Sequence, residues 1–154
     1  MKLNLTLGVA GAGKSTFVNN LLYRDVKLQV LCLDDIRLAL GDVYDIRTEP
    51  VVRMISNVMG RAFMERSLPI IVDSTCTSIK IVEMWCRLAK EYDYKIHAYF
   101  LDTPFDVCCD RRLNTLNTNK IAIEVLTRQR DQLHELMFWL KENEPFDKFE
   151  TVKF

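Results

Sequence analysis

The residues with the clearest chemistry lie near the amino terminus, in Gly8-Val9-Ala10-Gly11-Ala12-Gly13-Lys14-Ser15-Thr16. Gly8, Gly13, Lys14 and Ser15 satisfy the spacing G-x-x-x-x-G-K-[ST] of a phosphate-binding loop. Gly8, Gly11 and Gly13 admit backbone angles barred to other residues. Successive N–H groups, including that of Ala12, can then converge on phosphate oxygens at the start of a helix whose dipole favours an anion. Lys14 would reach the β- and γ-phosphates, the Ser15 hydroxyl would bind Mg²⁺, and Thr16 would complete the first turn. The loop therefore points to a bound nucleoside triphosphate. A glycine-rich turn joining a strand to a helix with no ligand is the alternative, and it leaves the four fixed identities unexplained.

A second group follows in Asp34-Asp35-Ile36-Arg37. A carboxylate at a strand end near the γ-phosphate can accept the proton of an attacking hydroxyl and align its oxygen for in-line transfer. Either acid could instead cap the helix that runs through Arg37, but capping needs only one. Arg37 could clamp an acceptor phosphate, pair with an acid, or lie solvated on the surface. Asp73 ends the apolar run Ile70-Ile71-Val72, a Walker-B-like pattern. It could support the metal through water or orient Arg37 by an ion pair, and the residues alone leave both open.

These groups need elements that bring them to one edge. Apolar runs at Leu3–Leu7, Leu28–Leu33, Leu68–Val72 and Tyr94–Leu101 read as strands, with Glu150–Phe154 as a short edge strand. Helical patterns separate them: Ser15–Leu22, a short helix from Asp34 to Gly41, one from Pro50 to Arg66, Ser78–Tyr92, Pro104–Leu113 and Ile123–Lys141. In the Pro50 helix, Val51, Met54, Ile55, Val58, Met59, Ala62 and Phe63 recur at helical spacing and are expected to form its buried face. Strand–helix alternation predicts an α/β fold of P-loop NTPase type, a parallel sheet of four to five strands with helices on both faces. Ligands of such sheets sit at the carboxyl ends of the strands. The loop, Asp34-Asp35, Asp73-Ser74 and Asp102-Thr103 all fall just there.

Composition narrows the partners. The chain has 154 residues and is 49% hydrophobic, enough for one domain over 1–154 with a sizeable core. Lys+Arg and Asp+Glu both total 21. That balance argues against tight non-specific binding to long duplexes, though a local basic groove can hide in a neutral total. The five cysteines, Cys32, Cys76, Cys86, Cys108 and Cys109, show no metal-type pairing and read as reduced thiols of a cytoplasmic protein. Lys2 leads directly into a strand, so no secretory leader is expected. No apolar run approaches the roughly 18 residues of a membrane span. A GTPase switch is a poor fit, because Asn117-Thr118-Asn119-Lys120 lacks the aspartate of a guanine-reading motif. His97, His134 and Trp139 read as structural, while Tyr44 and Arg47 could touch an acceptor base or phosphate or be ordinary loop surface. The oligomeric state stays open, a homo-oligomer included.

The loop, then Leu33-Asp34-Asp35-Ile36-Arg37, then Val72-Asp73-Ser74-Thr75, resembles the 5′-polynucleotide kinases of phage type. The zeta-toxin and adenylyl-sulfate-kinase-like group of P-loop kinases is more distant. The likeness runs through Trp85–Tyr92 and Ile123–Leu126. It implies an ATP- and Mg²⁺-dependent kinase acting on 5′-hydroxyl ends of DNA or RNA in nucleic-acid repair, as bacteriophages carry. By that resemblance Asp34 is the general base, Asp35 lies at the substrate, Arg37 contacts the acceptor's 3′-phosphate, Asp73 holds Arg37, and Lys14 and Ser15 serve ATP and Mg²⁺. The likeness stops at Phe154, short of the phosphatase domain of the phage enzymes, so a kinase-only role is expected. One departure stands out. The family carries two lid arginines one turn apart after the fourth strand. Arg111 matches the first, but the second falls near Thr115, where no arginine stands. Arg111, Arg112, Lys120 or Arg128 would have to supply the charge from a lid near 111–122, and Arg111 is the favoured one. A kinase for another hydroxyl (a nucleoside, an amino sugar, a modified base) and a weakly catalytic nucleotide-binding module are the alternatives.

Overall fold

The computed structural model describes residues 1–41, 46–113 and 122–153. Five strands form one parallel sheet: β1 (Lys2–Leu7), β2 (Gln29–Cys32), β3 (Ile70–Asp73), β4 (Lys95–Leu101) and β5 (Lys148–Val152), in the order β2-β3-β1-β4-β5. The expected edge strand is thus present, paired in parallel with β4 and starting two residues earlier than its sequence pattern. β1 is central, and Leu3, Leu5 and Leu7 are fully buried. This is why it reads as an unbroken apolar run rather than an alternating one. Asn4 and Thr6 within it are buried as well, each held by the neighbouring strand. Asn4 Nδ2 donates to Ile70 O at 2.9 Å, and Thr6 Oγ1 donates to Val72 O at 2.9 Å.

The helices are α1 (Lys14–Arg24), α2 (Leu33–Ala39), α3 (Glu49–Glu65), α4 (Ile79–Glu91), α5 (Phe105–Leu113) and α6 (Ile123–Asn143). They cover both faces. Met64 of α3, Trp85 and Leu88 of α4, and Leu136 and Leu140 of α6 join Leu3, Leu5, Ile70 and Val72 in one core. On the other face Val18 of α1 packs on Ile71, and Phe17 meets the Tyr99 ring with centroids 4.9 Å apart. α4 begins on Ser78, whose hydroxyl accepts from Ile81 N, a cap that satisfies one of the helix's orphan amides. Among the described residues no helix is long and apolar enough to cross a membrane.

α3 departs from its sequence pattern. Pro50 sits in its first turn as expected, but the buried residues are Glu49, Val52, Ser56, Gly60 and Met64. Val51, Met54 and Val58, expected inside, are exposed. The reason is close approach. A Cβ on Gly60 would stand 2.8 Å from Cζ3 of the buried Trp85, so α3 lies against α4 through its smallest residue. The indole of Trp85 reaches across from α4 and fills the space that a side chain at Gly60 would need.

Candidate active site

The phosphate loop spans the turn from β1 to α1. Gly13 takes φ 93° as the N-cap of α1, and Gly11 takes φ 90°. A side chain at Gly11 would also meet Cys108 O at 2.7 Å, so α5 presses on the loop where only glycine fits. The first amides of α1 have no acceptor within the helix, and no acid stands in its first turn. That end is built for an anion.

The loop's remaining polar groups are held by elements far away in sequence. Gly8 N donates to Thr75 O (3.1 Å), tying the loop to the turn after β3. Thr103 Oγ1 donates to Ala12 O (2.9 Å), Arg111 donates from Nη1 to Gly11 O (2.9 Å), and Ala10 N donates to Oε1 of Gln129 on α6 (2.9 Å). Gln129 carries no motif signal in the sequence. Only the fold brings it to the loop.

Lys14 is buried, and its ammonium donates to Gly8 O (3.1 Å) and Val9 O (2.9 Å). Burial pushes its pKa down to about 8, against the attraction of Asp73. Asp73 ends β3 opposite Cys32 of β2, which places it next to the start of α2. Burial raises its pKa, while a hydrogen bond from the Ser15 hydroxyl and the charge of Lys14 oppose the rise. Ser15 and Asp73 thus meet at the mouth of the loop as a pair of hard oxygen donors. Mg²⁺ is usually bound by one or two such protein groups together with substrate phosphates. Among the described residues no group of three or more His, Cys, Asp or Glu could hold a metal alone, so the pair fits a metal that arrives with phosphate.

Asp34 and Asp35 stand in the first turn of α2, where the helix dipole favours acids; neither is the cap, which is Cys32. The Asp34 side chain is 80% exposed and accepts from Arg37 Nη1 at 2.6 Å. Arg37 also grips Glu49 through two parallel bonds, Nε to Oε1 at 2.6 Å and Nη2 to Oε2 at 3.0 Å. This corrects the expectation for Asp73. Among the described residues the partners of Arg37 are Glu49 and Asp34, because the first turn of α3 reaches α2 while Asp73 is engaged by Ser15. The bonds to Glu49 raise the Arg37 pKa above the ordinary arginine value. Glu49 was not singled out in the sequence, where it is one more acid before Pro50. Its burial at a helix start is the signal that only the fold supplies.

The structure therefore brings Lys14, Ser15, Asp73 and Arg111 to the loop, and Asp34, Arg37 and Glu49 to the adjoining strand end. Arg112 also packs beside Gly11. Arg128 lies on the exposed side of α6, and His97 lies in β4. Tyr44, Thr115 and Lys120 fall outside the described residues.

The parallel order β2-β3-β1-β4-β5 with a phosphate loop after β1 defines a P-loop NTPase-type protein. A protein-family model described as an AAA domain matches residues 3–138, and the chain belongs to that family of P-loop kinases, which bind ATP, typically with Mg²⁺. A search of curated protein sequences returns no match. Solved structures similar to the chain include a chain of the Pnkp1/Rnl/Hen1 RNA repair complex, 23% identical, with a TM-score of 0.78 over 90% of this chain and 45% of that one. This chain therefore spans less than half of that relative's length. A chain of the PezAT chromosomal toxin-antitoxin system of Streptococcus pneumoniae is 15% identical, with a TM-score of 0.72 over 99% of this chain and 68% of that one. A gluconokinase from Sinorhizobium meliloti 1021 is 14% identical, with a TM-score of 0.60 over 99% and 82%. At these identities the likeness is one of fold.

Proposed function

We propose that the chain moves the γ-phosphoryl group of ATP to the 5′-hydroxyl of a polynucleotide. The observation that carries this reading is the Arg37–Asp34 contact at 2.6 Å, beside the carboxyl-edge loop that holds Lys14. It joins a carboxylate able to take a proton to a cation able to take a phosphate. In this reading Asp34 accepts the proton of the 5′-hydroxyl, the acceptor oxygen bonds to the γ-phosphorus, and the bond from that phosphorus to the β–γ bridging oxygen breaks. Lys14 would hold the phosphates, and Ser15 and Asp73 would hold Mg²⁺, which would supply positive charge to the phosphate oxygens. Among the described residues Glu49 and Asp34 take three of the five N–H groups of Arg37, and in this reading the rest of its donor fork serves the acceptor's 3′-phosphate. Glu49 is a positioning residue, acting through Arg37. Arg111, already on the loop, supplies the positive charge over the phosphates.

A second reading has its own support. Among the described residues Arg37 is held between two acids, Glu49 and Asp34, and Asp35 is next in sequence, so its charge is locally matched. That balance suits a neutral or cationic hydroxyl compound. Competition labelling separates the two. With γ-labelled ATP and equal amounts of a 5′-hydroxyl oligonucleotide, a nucleoside and an amino sugar, label is expected in the oligonucleotide. Label in a small acceptor would transfer the assignment to the second reading.

A further inference from the structure

We propose that Gln129 is a positioning residue for Lys14, acting through the single peptide unit between Val9 and Ala10. The inference rests on the reading of the loop as the triphosphate site, and it adds a residue from the far end of the chain. The Val9–Ala10 peptide is held at both ends. Its N–H donates to Gln129 Oε1 at 2.9 Å, and its carbonyl accepts from Lys14 Nζ at 2.9 Å and from Ala12 N at 3.1 Å. A peptide unit is rigid and planar. Turning it about its flanking bonds swings the carbonyl and N–H together. The glutamine that fixes the N–H direction therefore fixes where the Lys14 ammonium is received.

Alternative partners for the Ala10 amide are few. Ala10 is only 4% exposed, so water cannot readily replace Gln129, and a buried amide without a partner is costly. The glutamine is delivered by packing. Leu126, one turn earlier on α6, is fully buried with Val9, Ala10 and Ala12 in one apolar cluster. Arg130 lies over the Phe105 ring at 4.9 Å and locks α6 to α5. Gln132, the next glutamine on α6, accepts instead from Thr77 Oγ1 (3.2 Å), so the two side chains serve different loops.

The test uses the full chain as wild type, Gln129→Met, Gln129→Glu and Gln132→Met. Three quantities are followed: hydrogen exchange of the Ala10 amide, the ¹³Cε resonance of Lys14, and the Kd of ATPγS with Mg²⁺. Gln129→Met keeps the helix and removes the acceptor. It is expected to speed Ala10 exchange, shift the Lys14 resonance and weaken ATPγS about fivefold, the size of one lost hydrogen bond. Gln129→Glu keeps an acceptor oxygen and is expected to restore Ala10 protection. Gln132→Met should leave the Ala10 amide and the Lys14 resonance as in wild type. An unchanged Lys14 resonance in Gln129→Met overturns the proposal, as does an equal change in Gln132→Met, which would mean general loosening of α6. Failure of wild type to bind ATPγS would sink the loop reading instead, and the Ala10 and Lys14 signals would still decide the tether.

Discussion

The donor half and the acceptor half of the site are built differently. Around the phosphate loop nearly everything is backbone. Amides and carbonyls of Gly8, Ala10, Gly11 and Ala12 are pinned by Thr75, Gln129, Arg111 and Thr103, and Lys14 is buried among them. Around Asp34 nearly everything is side chain. An exposed carboxylate, a half-buried guanidinium and a buried glutamate hold one another by ion pairs. Backbone geometry makes a site that suits any triphosphate. Side-chain ion pairs make one that can be retuned for different acceptors by a single substitution, and this is the half in which P-loop kinases of one fold can differ.

The largest expected effect breaks the halves apart. Asp34→Asn should lower phosphoryl transfer by ~10²–10⁴-fold while leaving ATPγS binding intact, measured by labelled transfer and by calorimetry on the same sample. Equal activity in that variant would remove Asp34 from the mechanism. Next is pH. Burial lowers the Lys14 pKa to about 8 in the folded chain, against the ordinary lysine value of 10.5 when unfolded. Between those values the unfolded chain binds more protons, so stability rises with pH there. Below 8 the full cost of burying the charge is present, and above 10.5 it is gone. The nucleotide-free protein should gain about 3 kcal/mol from this group across the window. Denaturant titrations of wild type against Lys14→Met should show that rise only in wild type.

Gly11→Ala tests the backbone half. The left-handed φ and the 2.7 Å approach to Cys108 O should together cost about 2 kcal/mol and weaken ATP, read as a fall in Tm and a rise in Kd. Glu49→Gln tests the side-chain half most gently. Removing the charge that orients Arg37 should raise the acceptor KM about tenfold with the ATP KM unchanged. A change in ATP KM alone would place Glu49 on the donor side.

The same division explains what the sequence made legible. A motif of fixed spacing marks the loop because its function is local backbone geometry, and the strand–helix alternation around it yields the sheet and both helical layers. Gln129 and Glu49 stayed hidden because each acts on a partner brought close by folding, 119 residues away for the glutamine and 12 for the glutamate. For Asp73 the residues alone left metal support and an ion pair with Arg37 both open, and only the resemblance implied the ion pair; in the fold Asp73 meets Ser15, while Arg37 pairs with Glu49 and Asp34. The face of α3 was misjudged for a related reason. Met59 and Phe63 do pack on the core, but the buried stripe runs through Ser56 and Gly60, which carry no apolar signal, and Trp85 fills the space beside Gly60.

The most direct test of the account is the gain from a 3′-phosphate on the acceptor, measured as kcat/KM for a 5′-hydroxyl nucleotide with and without that phosphate, in wild type and in Arg37→Gln. The account predicts at least about a tenfold preference for the phosphorylated acceptor in wild type, one charge-assisted contact's worth, and its disappearance in Arg37→Gln. No preference in wild type, or a preference that survives the substitution, would contradict it.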